Sequence, residues 1–167
     1  MIREARFGEP AVQKLVAEAM AELSTRYGGS GDDTPINLTD FDPPGGRFFV
    51  AEIDGELVGC AGWRRHGDDA ELKRMFTLTA ARGRGVARRV LAAVEESARA
   101  AGCQRVILET GDRQPEAIAL YRSEGYEPTT KFGVYRHEPG SRCFAKDLAA
   151  GDRHPLGALT NSDPRHR

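Results

Sequence analysis

No apolar run in this sequence approaches the roughly 20 residues that cross a bilayer as a helix, so nothing in it reads as a membrane span. An excess of one charge is missing too. The 24 Lys and Arg are matched by 25 Asp and Glu, and a formal net charge of −1 gives no global field to steer the chain toward nucleic acid or an anionic membrane. The opening MIREARFGEP is charged from its third residue, which does not read as a secretory signal, so a cytoplasmic location is the expectation. Cysteine is scarce. Cys60, Cys103 and Cys143 are odd in number, far apart and without a CxxC or Cys/His cluster, which argues against a disulfide framework or a zinc site. They read as buried thiols that pack as small hydrophobes. His66, His137, His154 and His166 show no metal-ligand spacing, so no metal is expected.

What is present suits one domain around one core: 167 residues, 40% hydrophobic and 29% charged. Ile2–Phe7 reads as a short strand. Pro10 stands where a first-turn proline is tolerated, ahead of Val12, Leu15, Val16, Ala19 and Leu23 at helical spacing. Ser30 to Gly46 is rich in Gly, Asp, Pro and Thr, and reads either as a long binding loop or as a second short helix. Arg47–Ile53 and Glu56–Trp63 are strands joined by the hairpin turn Asp54-Gly55, and Ala70–Leu78 continues the meander. A helix follows from about Val86 to Ala101, its stripe Val86, Val90, Leu91, Val94 and Ala98 facing inward while Glu95, Glu96 and Arg99 face water. Arg105–Thr110 has the continuous apolar centre of a strand buried on both faces. Pro115 starts another helix ending at Gly125, and strands are expected at Lys131–Arg136 and Arg142–Asp147. The order predicts an α+β fold, a mixed sheet with helices on its faces. From Ala149 onward there is no aromatic residue and little periodicity, which divides the chain into a domain, 1–148, and a flexible tail, 149–167.

The segment Ala81-Arg82-Gly83-Arg84-Gly85-Val86-Ala87 lies between a strand and an amphipathic helix. Glycines there let the backbone approach a ligand, and the helix start offers free N–H groups and a positive dipole end to an anion. Arg82, Arg84, Arg88 and Arg89 add charge suited to phosphate. The segment is not a P-loop, and Arg88 stands where a dinucleotide fingerprint requires glycine. Taken alone it fits a phosphate cradle, a basic turn on a solvated helix start, or an RGG-like element.

Two motifs together narrow this. Arg82-x-x-Gly85-x-Ala87 resembles the acetyl-CoA signature of the GNAT superfamily, and the strand Glu71–Leu78 precedes it as in that family. Ala117-x-x-Leu120-Tyr121-x-x-x-Gly125-Tyr126 resembles the family's second signature. The resemblance covers residues 2 to 148 and is tightest over Glu71–Tyr126. It implies a mostly antiparallel sheet of about seven strands, split between the two central ones. It also implies an N-acetyltransferase with acetyl-CoA as co-substrate. Backbone groups of Met75, Phe76 and Thr77 would pair with the pantetheine arm, and the turn Arg82, Gly83, Arg84, Gly85, Val86 and Ala87 would hold the pyrophosphate. Tyr121 falls at the position of the general acid, and Glu71 at a common position of the base. Where many relatives carry Asn, this chain has Thr110-Gly111-Asp112-Arg113-Gln114-Pro115, so Gln114, with Ala117, is assigned to the cofactor.

Acceptor residues in this fold come from the first helix and its loop and from the late hairpin. These supply Tyr27, Asp40, Asp42, Phe132, Tyr135 and Arg136, and Glu109 on the neighbouring strand is placed to share the base role or bind the amine. The set suits a small primary amine (an amino acid, a polyamine or an aminoglycoside-like compound). A peptide amine and a non-catalytic acyl-CoA-binding module remain the alternatives. Two assemblies stay open: a homodimer pairing the late strands between subunits, and a monomer with covered edges.

Overall fold

The computed structural model describes residues 1–28 and 34–148. The expected tail, 149–167, and residues 29–33 of the long connection lie outside the described residues. The elements run β1 (Ile2–Glu4), α1 (Pro10–Tyr27), β2 (Gly46–Ile53), β3 (Glu56–His66), β4 (Asp69–Thr77), α2 (Val86–Ala100), β5 (Arg105–Gly111), α3 (Pro115–Ser123), β6 (Glu127–Pro128) and β7 (Ser141–Asp147). All strands form one seven-stranded sheet in the order β1-β2-β3-β4-β5-β7-β6. Every neighbouring pair is antiparallel except β4 and β5, which run parallel. The expected α+β class and its mostly antiparallel sheet are what the chain adopts.

Local chemistry accounts for the turns. Asp54 and Gly55, between β2 and β3, both hold positive φ (51° and 81°), as a two-residue hairpin turn matching strand twist requires. Pleat alternation then builds two cores, one on each face of the sheet. In β2, Phe48 and Val50 pack with Val12, Leu15 and Val16 of α1, while the intervening Phe49 and Ala51 face the cluster built on α2. That second cluster holds Trp63, Leu91, Val94 and Leu108, and Tyr121 of α3 joins it. Burying each Leu or Val fully contributes about 1.5–3 kcal/mol relative to exposure.

Two expectations change, and one open alternative is narrowed. The strand expected at Lys131–Arg136 is a run of turns instead, with Arg136 N–H bonded to Gly133 O and Glu138 N–H to Tyr135 O. Its alternating apolar pattern is overridden because Gly133 takes φ 87° and Tyr135 N–H goes to the Glu109 carboxylate, away from any ladder. Glu95 does not face water. It is buried on α2, where it accepts the Tyr126 hydroxyl proton at 2.8 Å and pairs with Lys146 Nζ at 3.0 Å. A buried carboxylate is tolerated with partners of that kind. Between Thr34 and Gly45 the described chain makes turns and no helix, which favours the loop reading over the short helix.

Gly62 marks the tightest point of the α1-side core. A Cβ there would stand 2.5 Å from a Phe48 ring carbon and 2.8 Å from one of Phe41. Gly62→Ala is expected to destabilise the fold by about 1–3 kcal/mol through overpacking. Urea denaturation checks this, and a midpoint equal to wild type would contradict the packing described.

Candidate functional site

β4 and β5 are paired at only two positions, Ala70 with Val106 and Glu71 with Ile107, after which the strands diverge. The divergence coincides with a bulge. The β3 partner of Lys73 is Gly62 and that of Phe76 is Cys60, so Arg74 and Met75 together face Ala61. Arg74 takes φ 58°, an uncommon conformation for a non-glycine residue and one suited to a bulge. The Cys60 thiol donates to Arg74 O at 3.2 Å and supports the bulge from β3.

A cavity of about 370 Å³ opens where the strands part. Met75, Phe76 and Thr77 line one side, Leu108, Glu109 and Thr110 the other, and Gln114, Ala117 and Tyr121 close it from α3. The turn Arg82, Gly83, Gly85, Val86 and Ala87 forms one end. Gly83 and Gly85 hold φ 82° and 75°, with open space where a Cβ would stand. Gly85 caps α2 with no side-chain hydrogen bond, and no acidic residue occupies the first turn. The first N–H groups of a 15-residue helix thus face the cavity with the positive dipole end behind them, a donor set that fits a pyrophosphate. Arg84 is exposed and lies outside the lining.

The Tyr121 hydroxyl stands 3.7 Å from Met75 Sδ, so the phenol reaches across the cavity to β4. Burial pushes this phenol above the ordinary tyrosine value and keeps it protonated. Glu71 is 5% exposed and sits on the last paired row; its carboxylate receives Arg64 Nε at 3.1 Å, and Arg64 also binds Asp40 at 2.9 Å. It lies beside the cavity rather than in its lining. Glu109, which does line it, accepts Tyr135 N–H at 3.1 Å and the Ser141 hydroxyl at 3.3 Å. Phe132 rests near the His66 ring, centroids 5.8 Å apart, and Tyr135 reaches Glu109 through its backbone N–H; neither residue is part of the cavity lining. Tyr27 closes α1, and its side chain lies outside what is described.

Among the charged residues of the lining that the sequence reading passed over are Glu22, Arg26, Lys73 and Arg74. Glu22 and Arg26, one turn apart on α1, tie that helix to both lips: Glu22 pairs with Arg82 at 2.6 Å, and Arg26 with Glu116 at 2.6 Å. Their spacing of four residues was the available signal. Lys73 and Arg74 on β4 also line the cavity, and Lys73 is a cation in a strand otherwise read as core. Among the described residues no group of three or more His, Cys, Asp or Glu is gathered as metal ligands would be, and no helix is long and apolar enough to cross a membrane.

Comparison with known proteins points the same way. The model of the acetyltransferase (GNAT) family matches residues 13–126. A curated relative from Azospirillum brasilense, an IAA acetyltransferase, is 37% identical over 142 residues, covering 84% of this chain and 92% of its own. The crystal structure of a putative acyl-CoA N-acyltransferase from Klebsiella pneumoniae superposes with a TM-score of 0.77 at 28% identity, over 89% of this chain and 97% of that one. A GNAT acetyltransferase from Elizabethkingia anophelis, solved with acetyl-CoA bound, shares the fold at a TM-score of 0.65 and 17% identity, over 88% of this chain and 97% of that one.

All three cysteines are buried, and burial raises each thiol, that of Cys60 to about 12. At pH 8 the Cys60 thiolate fraction is then about one in ten thousand. Ellman's reagent is expected to leave the folded protein unlabelled over minutes and to label three thiols after unfolding. Rapid labelling of the native protein would contradict the packing.

Proposed function

The chain belongs to the acetyltransferase (GNAT) family of acetyl-CoA-dependent acyltransferases, and on that premise we propose that it moves the acetyl group of acetyl-CoA directly to the amine of a small molecule. The observation that carries this reading is the cavity at the β4–β5 split. It joins an anion-binding helix start, unpaired strand backbone and a buried protonated tyrosine in one space. Acetyl-CoA supplies an activated thioester. The amides of Gly83 to Ala87 hold its pyrophosphate, and Met75 to Thr77 offer the strand edge along which the pantetheine arm lies. A backbone N–H released by the bulge at Met75 is aimed at the charge that develops on the thioester oxygen, the requirement met by an oxyanion hole.

Protons move at both ends of the transfer. The ammonium gives up a first proton to become the neutral nucleophile, the leaving sulfur takes a second as the C–S bond breaks, and the nitrogen sheds its remaining surplus proton to water once the C–N bond has formed. Tyr121 delivers the second and is reprotonated from solvent; its raised pKa is no obstacle, since transfer accompanies bond breaking. Glu109, inside the cavity, holds the amine, and Glu71 receives the first proton through a water. The buried, raised thiols leave no cysteine suited to carry the acetyl group, which supports direct transfer. The ties from α1 to both lips, together with a volume in the range of small-molecule pockets, support a small acceptor over a polypeptide.

Tyr121→Phe is expected to bind acetyl-CoA within about threefold of wild type and to lose about 100-fold in kcat with a small amine, measured by thiol release. Unchanged turnover would remove Tyr121 from the chemistry. Turnover with peptides alone would overturn the small-molecule reading.

A further inference from the structure

Resting on the acetyl-transfer reading above, we propose that the Met75 thioether is a positioning group for the general acid. Its sulfur holds the Tyr121 hydroxyl aimed into the cavity and gives it up to the leaving sulfur of the acyl donor. Met75 then acts through its side chain as well as through its backbone.

The bulge decides which way Met75 points. In a regular strand Leu72, Arg74 and Phe76 would share one face. Here Leu72 belongs to the cluster built on α2, whereas Phe76 packs against the one on α1. The exchange falls at the extra residue, where Arg74 and Met75 together face Ala61. Unbroken alternation from Leu72 would turn Met75 toward α1, but it packs in the α2-side cluster that holds Tyr121. The Cys60 thiol, donating to Arg74 O at 3.2 Å, braces that inversion. One inserted residue therefore brings a sulfur on β4 to the phenol on α3.

The phenol has little else to orient its proton. Tyr121 is 6% exposed, and its ring is set by Tyr126 and Phe144, at centroid distances of 5.7 and 6.4 Å. The hydroxyl still rotates about its C–O bond, and among the described residues its one hydrogen-bond partner is Met75 Sδ at 3.7 Å. A thioether is a weak acceptor. It suffices to aim the proton, yet a sulfur that takes up the electron pair of its breaking C–S bond is charged and outcompetes it. The proton passes to that sulfur, and solvent reprotonates the phenolate. Tyr126, in the same cluster, supplies the contrast. Its hydroxyl donates to the buried Glu95 carboxylate at 2.8 Å, where a charged acceptor keeps the proton in place.

The test pairs an NMR label on the full chain with turnover. Tyrosine is isotope-labelled at Cζ, and Tyr121→Phe and Tyr126→Phe assign one signal each. Met75→Leu conserves volume and keeps the backbone N–H. In the ligand-free protein it is expected to move the Tyr121 signal and leave that of Tyr126 in place. In wild type, acetyl-CoA is expected to move the same signal, a comparison that needs no Met75 variant to fold. Thiol release is measured with the fastest amine from a panel of amino acids, polyamines and aminoglycosides. Met75→Leu is expected to lower kcat about 3- to 10-fold, the effect of one hydrogen bond, with the Kd for acetyl-CoA within about threefold. Tyr121→Phe/Met75→Leu is expected to match Tyr121→Phe within about twofold, because the sulfur acts only through the phenol. A Tyr121 signal unmoved by Met75→Leu, or by acetyl-CoA in wild type, overturns the inference. So does a kcat loss that adds in full to that of Tyr121→Phe, the mark of a merely structural methionine. A wild-type rate in Tyr121→Phe is the separate failure of the acid, and absence of release with every amine that of the acetyl-transfer reading; either takes this inference with it.

Discussion

Two adjacent strands in the middle of the sheet give up their hydrogen bonds, and the rest of the molecule is arranged around that loss. β4 and β5 share two paired positions, then part, so that backbone donors and acceptors normally satisfied inside a sheet are left facing a cavity. Such groups cost free energy when buried without partners, and a ligand with amides of its own can satisfy them. The bulge at Arg74 and Met75 turns β4 away, and the Cys60 thiol braces it from β3. The parallel order of the pair brings α2 down beside the split, so that its N-terminus meets the cavity's end. One departure from regular pairing thereby brings an open strand edge, a bulged segment and a helix N-terminus into one cavity.

The parts holding this arrangement differ in kind. The bulge rests on fully buried apolar neighbours, Cys60 and Ala61 among them. The α1 ties to the lips, Glu22 with Arg82 and Arg26 with Glu116, involve partly exposed side chains. Pairs of that kind contribute about 0–1 kcal/mol each. The framework of the split is therefore held by core packing, while surface ion pairs tie the wall formed by α1 to the lips and add little to that packing.

Much of this was legible in the sequence because it follows from short-range rules. The Asp54-Gly55 hairpin, the stripe Val86, Val90, Leu91, Val94 and Ala98, and the glycine-flanked start of α2 all carry their structure in local spacing. The lining residues Met75, Phe76, Thr77, Gly83, Gly85, Gln114, Ala117 and Tyr121 were reached through the family resemblance that two motifs carry, and the cavity gathers all of them. The region around Glu109 depends on long-range pairing and was read less well. Lys131–Arg136 alternates like a strand, yet Glu109, distant in sequence, captures the Tyr135 amide and bends the segment into turns. Glu95 carries a surface residue's identity, and only Tyr126 and Lys146 make its burial tolerable. Lys73 drew no notice because a single charge in a strand has no pattern, and only the folded chain shows it in the cavity lining.

The central claim is that the open backbone of β4 and the start of α2 receive acetyl-CoA as one continuous site. Amide hydrogen exchange with and without acetyl-CoA tests it most directly. The account predicts slowed exchange at residues 75–77 and 83–89, with β1 and β2 unchanged. Protection confined to other segments, or protection of the turn without β4, would contradict it.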